Sequence, residues 1–318
     1  GLIIMAELLT ILFLVLIIAN KGKTKVESIN PIRGASISKA NSNYKNFYEP
    51  VASTNEAVND WVYPLTYSIN KDALHERFEY EDEKKEGVYR IITLGDSWTY
   101  GLYVNTKDNW TEKLEDELNN LSCEKIEKFE VLNLGVHGYD ISYSVERFNI
   151  RGKKYSPDLV MWLIKADDTI QINEILIPEV KKIEEELRLT GEFEKLIKEG
   201  NNYAAWNKAF EKVTSALGKE KIFEMQKEYL NKLDYQGKLL IISPPEESPV
   251  GLRGKEKELI EDFTRKRESA FFFNSLPDTY SIDEARFGND SHPNKIGHKM
   301  IAESVLKLLQ AQHLSNCK

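Results

Sequence analysis

From residue 88 onward, short apolar runs alternate with stretches in which apolar residues recur every three or four positions. Tyr89 to Leu94 is apolar and β-prone, which predicts a buried strand. Trp110, Leu114, Leu118 and Leu121 then recur at helical spacing and predict a first helix of about three turns. Glu130-Val-Leu-Asn-Leu134 reads as a second strand. Ser142 reads as the cap of a helix through Arg151, with Val145 and Phe148 inward. Asp158-Leu-Val-Met-Trp-Leu-Ile164 is apolar throughout, as in parallel strands covered on both faces. Lys238-Leu-Leu-Ile-Ile-Ser-Pro-Pro245 predicts a fourth strand, and Lys255 to Arg267 a helix. Phe271 to Phe273 is a fifth strand or its approach. Ile296, Met300, Val305 and Leu308 give the inward face of a last helix. Strands alternating with helices predict a doubly wound α/β sheet.

Two regions break this rhythm. From Glu174 to about Tyr235 charged residues dominate, and Tyr203, Trp206, Phe210, Val213 and Leu217 make one helical stripe. This predicts an insertion of three or four helices over 174–235, serving as a structural appendage or as a lid over a site. Residues 1–20 are almost wholly apolar and long enough to span a bilayer as a helix. No small-x-small cleavage site follows them, which favours an uncleaved anchor. Residues 21 to about 60 are rich in Asn, Ser and Lys and read as a linker or a loosely packed arm. Trp61 to Asn70 has strand character, and Glu76 to Glu86 reads as a solvated charge run. The expected organisation is an anchor over 1–20, a linker and arm over 21–87, and an α/β domain over 88–318 with its insertion over 174–235.

The 318 residues carry a net charge of −8 and are 41% hydrophobic, enough for a sizeable core. An acidic chain without basic clusters argues against nucleic acid as a partner. No spacing of His, Cys and carboxylates suggests a metal site, and no cofactor is implied.

The candidate chemistry begins at Gly95-Asp96-Ser97. A strand ending there sets the Ser97 hydroxyl at the carboxyl edge of a sheet, where open α/β folds place their sites. Gly-Asp-Ser is also an ordinary turn and cap sequence. Asp290-Ser-His292-Pro-Asn294, just before the last helix, changes the balance. His292 supplies the base that a serine nucleophile needs, and Asp290 a carboxylate to fix its tautomer. The other histidines have weaker claims: His137 as a pocket-lining residue, and His75, His298 and His313 at surfaces or caps.

These stretches together resemble the SGNH (GDSL-like) hydrolase family over roughly residues 85 to 312. Gly95-Asp96-Ser97 is similar to its first block, Asn133-Leu-Gly-Val-His-Gly138 to its second and Asp290-Ser-His292 to its last. The resemblance implies that Ser97 is the nucleophile, and His292 with Asp290 the base and its partner. It also implies that the Ser97 and Gly138 amides serve an oxyanion hole. The third block, normally Gly-x-Asn-Asp, is matched by Lys165-Ala166-Asp167-Asp168. Glycine has become Lys165, and the oxyanion-hole asparagine has become Asp167. An ionised Asp167 repels an oxyanion, so it donates only if it is protonated; Lys165 neutralises it, or the donor lies elsewhere. Losing one such donor typically costs about 2.7–4 kcal/mol.

The expected fold is therefore a flavodoxin-like doubly wound parallel sheet of SGNH-hydrolase type, with an N-terminal transmembrane helix and a helical insertion. In such a fold the first and last helices share one sheet face, which brings Cys123 and Cys317 together as a candidate disulfide and implies an oxidising compartment. Lys21, Lys23 and Lys25 favour a cytoplasmic body by the positive-inside rule, whereas the resemblance to anchored hydrolases implies an extracytoplasmic one, which is the expectation adopted. The expected activity is cleavage of acyl or acetyl esters on a small molecule, glycan or lipid. The alternatives are an O-acyltransferase acting on a surface polysaccharide, and a non-catalytic binding protein on a decayed scaffold.

Overall fold

The computed structural model describes residues 37–59, 64–201, 203–288, 290–312 and 317. The expected transmembrane helix, and His313, lie outside the described residues. No helix among the described residues is long and apolar enough to cross a membrane.

Five strands form the central sheet: β5 (Val88–Leu94), β6 (Lys128–Asn133), β7 (Leu159–Leu163), β8 (Lys238–Ile242) and β9 (Ala270–Phe273). All neighbours are parallel and the order is β6-β5-β7-β8-β9. Counted within the sheet this is 2-1-3-4-5, the flavodoxin-like winding. Alternate side chains feed two cores. Ile91, Val131, Met161 and Leu240 face one side; Ile92, Leu132, Val160 and Ile241 face the other. Burial on both faces explains why these strands read as unbroken apolar runs.

The first face is covered by α2 (Trp110–Asn119) and α9 (Lys295–Ala311), through Trp110, Leu114 and Leu118 and through Ile301, Ala302, Val305 and Leu309. Ile296 is 54% exposed, so the inward stripe of α9 is offset from the expected one. The two helices share a face as expected, and Cys123 and Cys317 just beyond them are disulfide-bonded.

The other face carries α3 (Ile141–Arg147), α7 (Lys219–Leu230) and α8 (Lys255–Arg265). Asp140, not Ser142, caps α3: its carboxylate accepts from the Tyr143 amide. The chain between β7 and β8 holds four helices: α4 (Asn173–Leu189), α5 (Glu192–Lys198), α6 (Ala204–Leu217) and α7. Leu176, Val180, Ile183 and Leu187 of α4 pack on Ala205, Ala209 and Val213 of α6 in a core of their own. Trp206 and Phe210 lie at its margin, and Tyr203 is 42% exposed. Because α7 packs on the sheet, it is the crossover helix, and the excursion proper is α4 to α6.

The arm is not loose where it is described. Two antiparallel hairpins, β1 (Ile37–Lys39) with β2 (Tyr48–Pro50) and β3 (Thr54–Asn59) with β4 (Pro64–Ile69), lie against the domain. Phe47 and Tyr48 are buried with Val136, Tyr139 and Tyr143. Leu65, Tyr67 and Ile69 are buried with Tyr100, Leu102 and Tyr103. The polar composition of the arm hid this, because the aromatic and aliphatic residues that do the burying are few and scattered. The charge run is likewise only partly solvated: Glu76 and Tyr80 are buried, and Glu76 accepts from the Asn133 amide.

Candidate active site

β5 ends at Leu94, and the chain turns through Gly95 at φ 148°. A Cβ there would stand 2.3 Å from Thr99 Oγ1 and 2.8 Å from the Leu163 carbonyl, so only glycine fits. The turn delivers Ser97 as the first residue of α1 (Ser97–Tyr100), a single helical turn capped by Asp96, which accepts from the Trp98 amide at 2.9 Å. Ser97 is 8% exposed.

His292 arrives from the loop before α9. Asn294 caps that helix, accepting from the amides of Ile296 at 2.8 Å and Gly297 at 3.2 Å, and its side-chain amide donates to the Glu284 and Arg286 carbonyls. The loop is thereby fixed, and it sets His292 Nε2 2.8 Å from Ser97 Oγ. The other ring nitrogen, Nδ1, is hydrogen-bonded to Asp290 Oδ1. The Tyr103 ring stands edge-on to the imidazole at 5.2 Å, from a backbone with φ 68°. Burial pushes the Asp290 carboxyl up, but the imidazole beside it outweighs this and holds it below the usual carboxylate range. Ser97, His292 and Asp290, predicted from two distant stretches, are thus brought together in one hydrogen-bonded row, in the order expected from the sequence.

Gly138 lies in the loop after β6 with φ 75°. The Asn173 side chain at the start of α4 donates to its carbonyl at 2.8 Å, and the Asn173 amide donates to Asp140 Oδ2 at 2.7 Å. The excursion therefore begins by clamping this loop. Burial pushes the Asp140 carboxyl up to about 6 despite the hydrogen bonds it accepts.

Asp167, the doubtful oxyanion donor of the third block, is engaged by a neighbouring cation: its Oδ1 accepts from Lys165 Nζ at 2.7 Å. The same ammonium lies 2.9 Å from Asp96 Oδ2. The Lys165 side chain is only 5% exposed. Burial favours its neutral form, but Asp167, Asp96 and Asp168 outweigh that and hold its pKa well above the ordinary lysine value. Asp96, Asp167 and Asp168 offer oxygens within 4.8 Å of one another, and the cation placed among them is this ammonium. Asp168 Oδ2 accepts from the Lys165 amide at 2.8 Å, which folds the loop on itself. Burial first, and then the neighbouring carboxylates, push the Asp168 carboxyl well above its usual range.

The other described histidines are interior; of the two among them expected at surfaces or caps, His75 is buried and His298 is buried at the start of α2. His75 bonds the Tyr100 carbonyl at 2.7 Å and the Thr106 hydroxyl at 2.8 Å. His298 Nδ1 accepts from the Trp110 amide at 3.2 Å. Burial depresses both, to about 4 and about 3. His137 is 2% exposed beside the rings of Tyr48 and Tyr100. Neither of its ring nitrogens meets a hydrogen-bond partner among the described residues. Burial, then the charge of His292, lowers it to about 4.

Sequence reasoning missed the braces supplied by the arm. Tyr48 donates its hydroxyl to the His137 carbonyl at 2.8 Å, and the Tyr67 hydroxyl accepts from the Tyr103 amide at 2.8 Å. Aromatic residues within a polar segment were the available signal.

A serine, an imidazole and a carboxylate joined in this way at the carboxyl edge of a doubly wound sheet form an arrangement of serine-hydrolase type. No family model matches the sequence, and no curated protein matches it. Among solved structures, the chain is similar to the psychrotrophic esterase EstA from Pseudoalteromonas sp., at 15% identity over 70% of this chain and 98% of that one, with a TM-score of 0.43. It is similar to the lipase/acylhydrolase from Enterococcus faecalis at 12% identity, over 72% and 97% of the two chains, with a TM-score of 0.43. An acetyl-xylooligosaccharide esterase from Geobacillus matches at 12% identity over 69% and 93%, with a TM-score of 0.41. Likeness of this degree leaves the chemistry to the geometry of Ser97, His292 and Asp290.

Proposed function

We propose that this chain is a serine hydrolase that cleaves acyl or acetyl esters. Ser97 Oγ attacks the ester carbonyl while His292 Nε2 takes its proton. The imidazolium, held by Asp290 through Nδ1, then protonates the leaving alkoxide. The amides of Ser97 and Gly138 hold the oxyanion, and water, activated by His292, resolves the acyl-enzyme. The observation that carries this reading is the 2.8 Å contact between Ser97 Oγ and His292 Nε2, with Asp290 on the opposite ring nitrogen. The substrate class, acyl groups on carbohydrate or lipid, follows from the sequence resemblance. The Cys123–Cys317 bond supports an oxidising compartment, hence an extracytoplasmic domain held at the membrane by the apolar segment 1–20.

The test is hydrolysis of short p-nitrophenyl esters by the full chain in detergent, beside Ser97→Ala and Asp167→Asn. Turnover by wild type that Ser97→Ala abolishes supports the hydrolase. Background rates from wild type and Ser97→Ala, with a gain in Asp167→Asn, point to a decayed scaffold. Acyl transfer to added sugar in preference to water identifies a transferase.

A further inference from the structure

Ser97 Oγ has one proton and two acceptors. His292 Nε2 stands 2.8 Å away and Asp96 Oδ2 3.2 Å away. Only the first acceptor leads to reaction, because a proton directed at Asp96 leaves the serine lone pair without its base. An unmatched carboxylate is a strong acceptor, and charge-assisted hydrogen bonds are roughly twice as strong as neutral ones. Left alone, Asp96 therefore competes with a neutral imidazole for this proton. Its other oxygen is fixed by the Trp98 amide at 2.9 Å, so Oδ2 cannot swing away from Ser97.

Lys165 meets this competition at its source. Its ammonium lies 2.9 Å from the same Oδ2 that faces Ser97. Asp167 Oδ1 holds the ammonium from the other side at 2.7 Å, and the Trp98 ring lies 5.8 Å from Nζ. The lysine side chain is buried along the exit of β7 and has little freedom to leave. Resting on the hydrolase reading above, we propose that Lys165 is a positioning residue: by occupying Asp96 Oδ2 it keeps the Ser97 proton directed at His292.

The charged and titratable groups around Asp96, Lys165 and His292 come from several elements. Asp96 follows β5, Tyr103 follows α1, His137 follows β6, Lys165, Asp167 and Asp168 follow β7, Asp290 and His292 precede α9, and His298 lies in it. Without the ammonium, Asp96 faces His292 uncompensated. It then stabilises the imidazolium, so the acidic limb of the pH profile moves to higher pH.

A fluorophosphonate probe reads this without knowledge of the substrate. Ser97 Oγ forms a bond to phosphorus, fluoride leaves, and the proton passes to His292 Nε2. The second-order labelling rate is measured against pH for the full chain, with the labelled residue located by peptide mapping. Lys165→Met is expected to label about tenfold more slowly or worse, with its acidic limb raised. Lys165→Arg is expected to restore most of the rate, and Asp96→Asn added to Lys165→Met to recover much of the loss. The decisive comparison, which holds even if Lys165→Met alone does not fold, is Asp96→Asn against Asp96→Asn/Lys165→Met. With Asp96 neutral, removing Lys165 should change neither rate nor limb. A further large loss in that background would overturn the proposal, as would a wild-type rate and limb in Lys165→Met. Failure of wild type to label at Ser97 would remove the hydrolase reading and this inference together; labelling with the wrong variant pattern removes the inference alone.

Discussion

Ser97 Oγ and His292 Nε2 lie 2.8 Å apart although 195 positions separate the two residues in the chain. Neither side chain has an effective reaction without the other: the hydroxyl needs a base, and the imidazole needs a proton to move. Their contributions should therefore not add. Ser97→Ala and His292→Ala are each expected to lower kcat for an ester by at least about a thousandfold, and the double variant by little more than either. Loss factors that multiply in the double variant would show that the two residues act independently.

Asp290 holds the imidazole through Nδ1, which leaves Nε2 to face the serine. Asparagine in its place would offer an amide donor to Nδ1 and favour the tautomer with its proton on Nε2, the wrong side. Asp290→Asn should keep the fold and lower kcat by about a thousandfold or more. Steady-state rates beside a thermal melt check this. A drop confined to KM would assign Asp290 to binding instead.

Most of the frame, and the three candidate catalytic residues, were legible in the sequence for a physical reason. Parallel strands buried on both faces leave an apolar run, as Leu159 to Leu163 does, and a turn that only glycine fits leaves Gly95 in front of Ser97. What was not legible depends on contacts between segments remote in sequence. Residues up to about 60 read as a linker because Phe47 and Tyr48 are diluted among polar residues, yet they are buried against the loops that carry the site. Glu76 read as part of a solvated run because composition does not reveal the Asn133 amide waiting for it. His75 and His298 read as residues at surfaces or caps, and their burial was not legible, because a single histidine carries no periodic signal. Lys165 read as a departure from a motif; only the fold shows that its ammonium lies between Asp96 and Asp167.

The Cys123–Cys317 bond joins two residues 194 positions apart in the chain. Constraining so long a segment of the unfolded chain stabilises the fold, typically by about 2–5 kcal/mol in native disulfides. Reduction, or the pair Cys123→Ser and Cys317→Ser, should lower the Tm by several degrees while leaving the geometry of Ser97 and His292 intact. Equal melting curves with and without reductant would show that the bond contributes nothing in solution.

Arg147 on α3 is wholly buried and donates to Glu49 of the arm and to the Ala73 carbonyl. Arg151 shares the same carboxylate, with Nε 3.1 Å from Oε2. Removing the carboxylate leaves a buried guanidinium without its counter-charge, which typically costs about 3–5 kcal/mol. Glu49→Gln should therefore destabilise the chain far more than an exposed exchange such as Glu220→Gln. Denaturant unfolding of the two variants decides it; similar midpoints would mean that water reaches Arg147.

Glu115 offers a test of stability against pH. Its Oε2 accepts from the Val131 amide at 2.6 Å and from the Tyr80 hydroxyl at 2.9 Å, and its carboxyl interacts electrostatically with Glu76 and Glu112. Burial pushes the Glu115 carboxyl from 4.5 up to about 7, overcoming the hydrogen bonds from Val131 and Tyr80 that favour its ionised form. The folded state thus keeps a proton that the unfolded chain has already released. The stabilising contribution is full below the unfolded value and is lost as pH rises through about 7. Glu76, also raised by burial, acts with the same sign. The buried neutral imidazoles of His75, His137 and His298 act oppositely, but only as pH falls below their unfolded value of 6.5. Between about pH 6.5 and 8 the acids therefore act without that opposition. Wild type should lose stability across this window by about 1 kcal/mol from Glu115, the larger part of its roughly 3 kcal/mol being lost between about pH 4.5 and 6.5. Glu115→Gln keeps an oxygen acceptor, has no proton to lose, and should show a flatter profile with a higher Tm at pH 8 relative to pH 6.5. Parallel profiles for the two proteins would mean that Glu115 is ionised throughout.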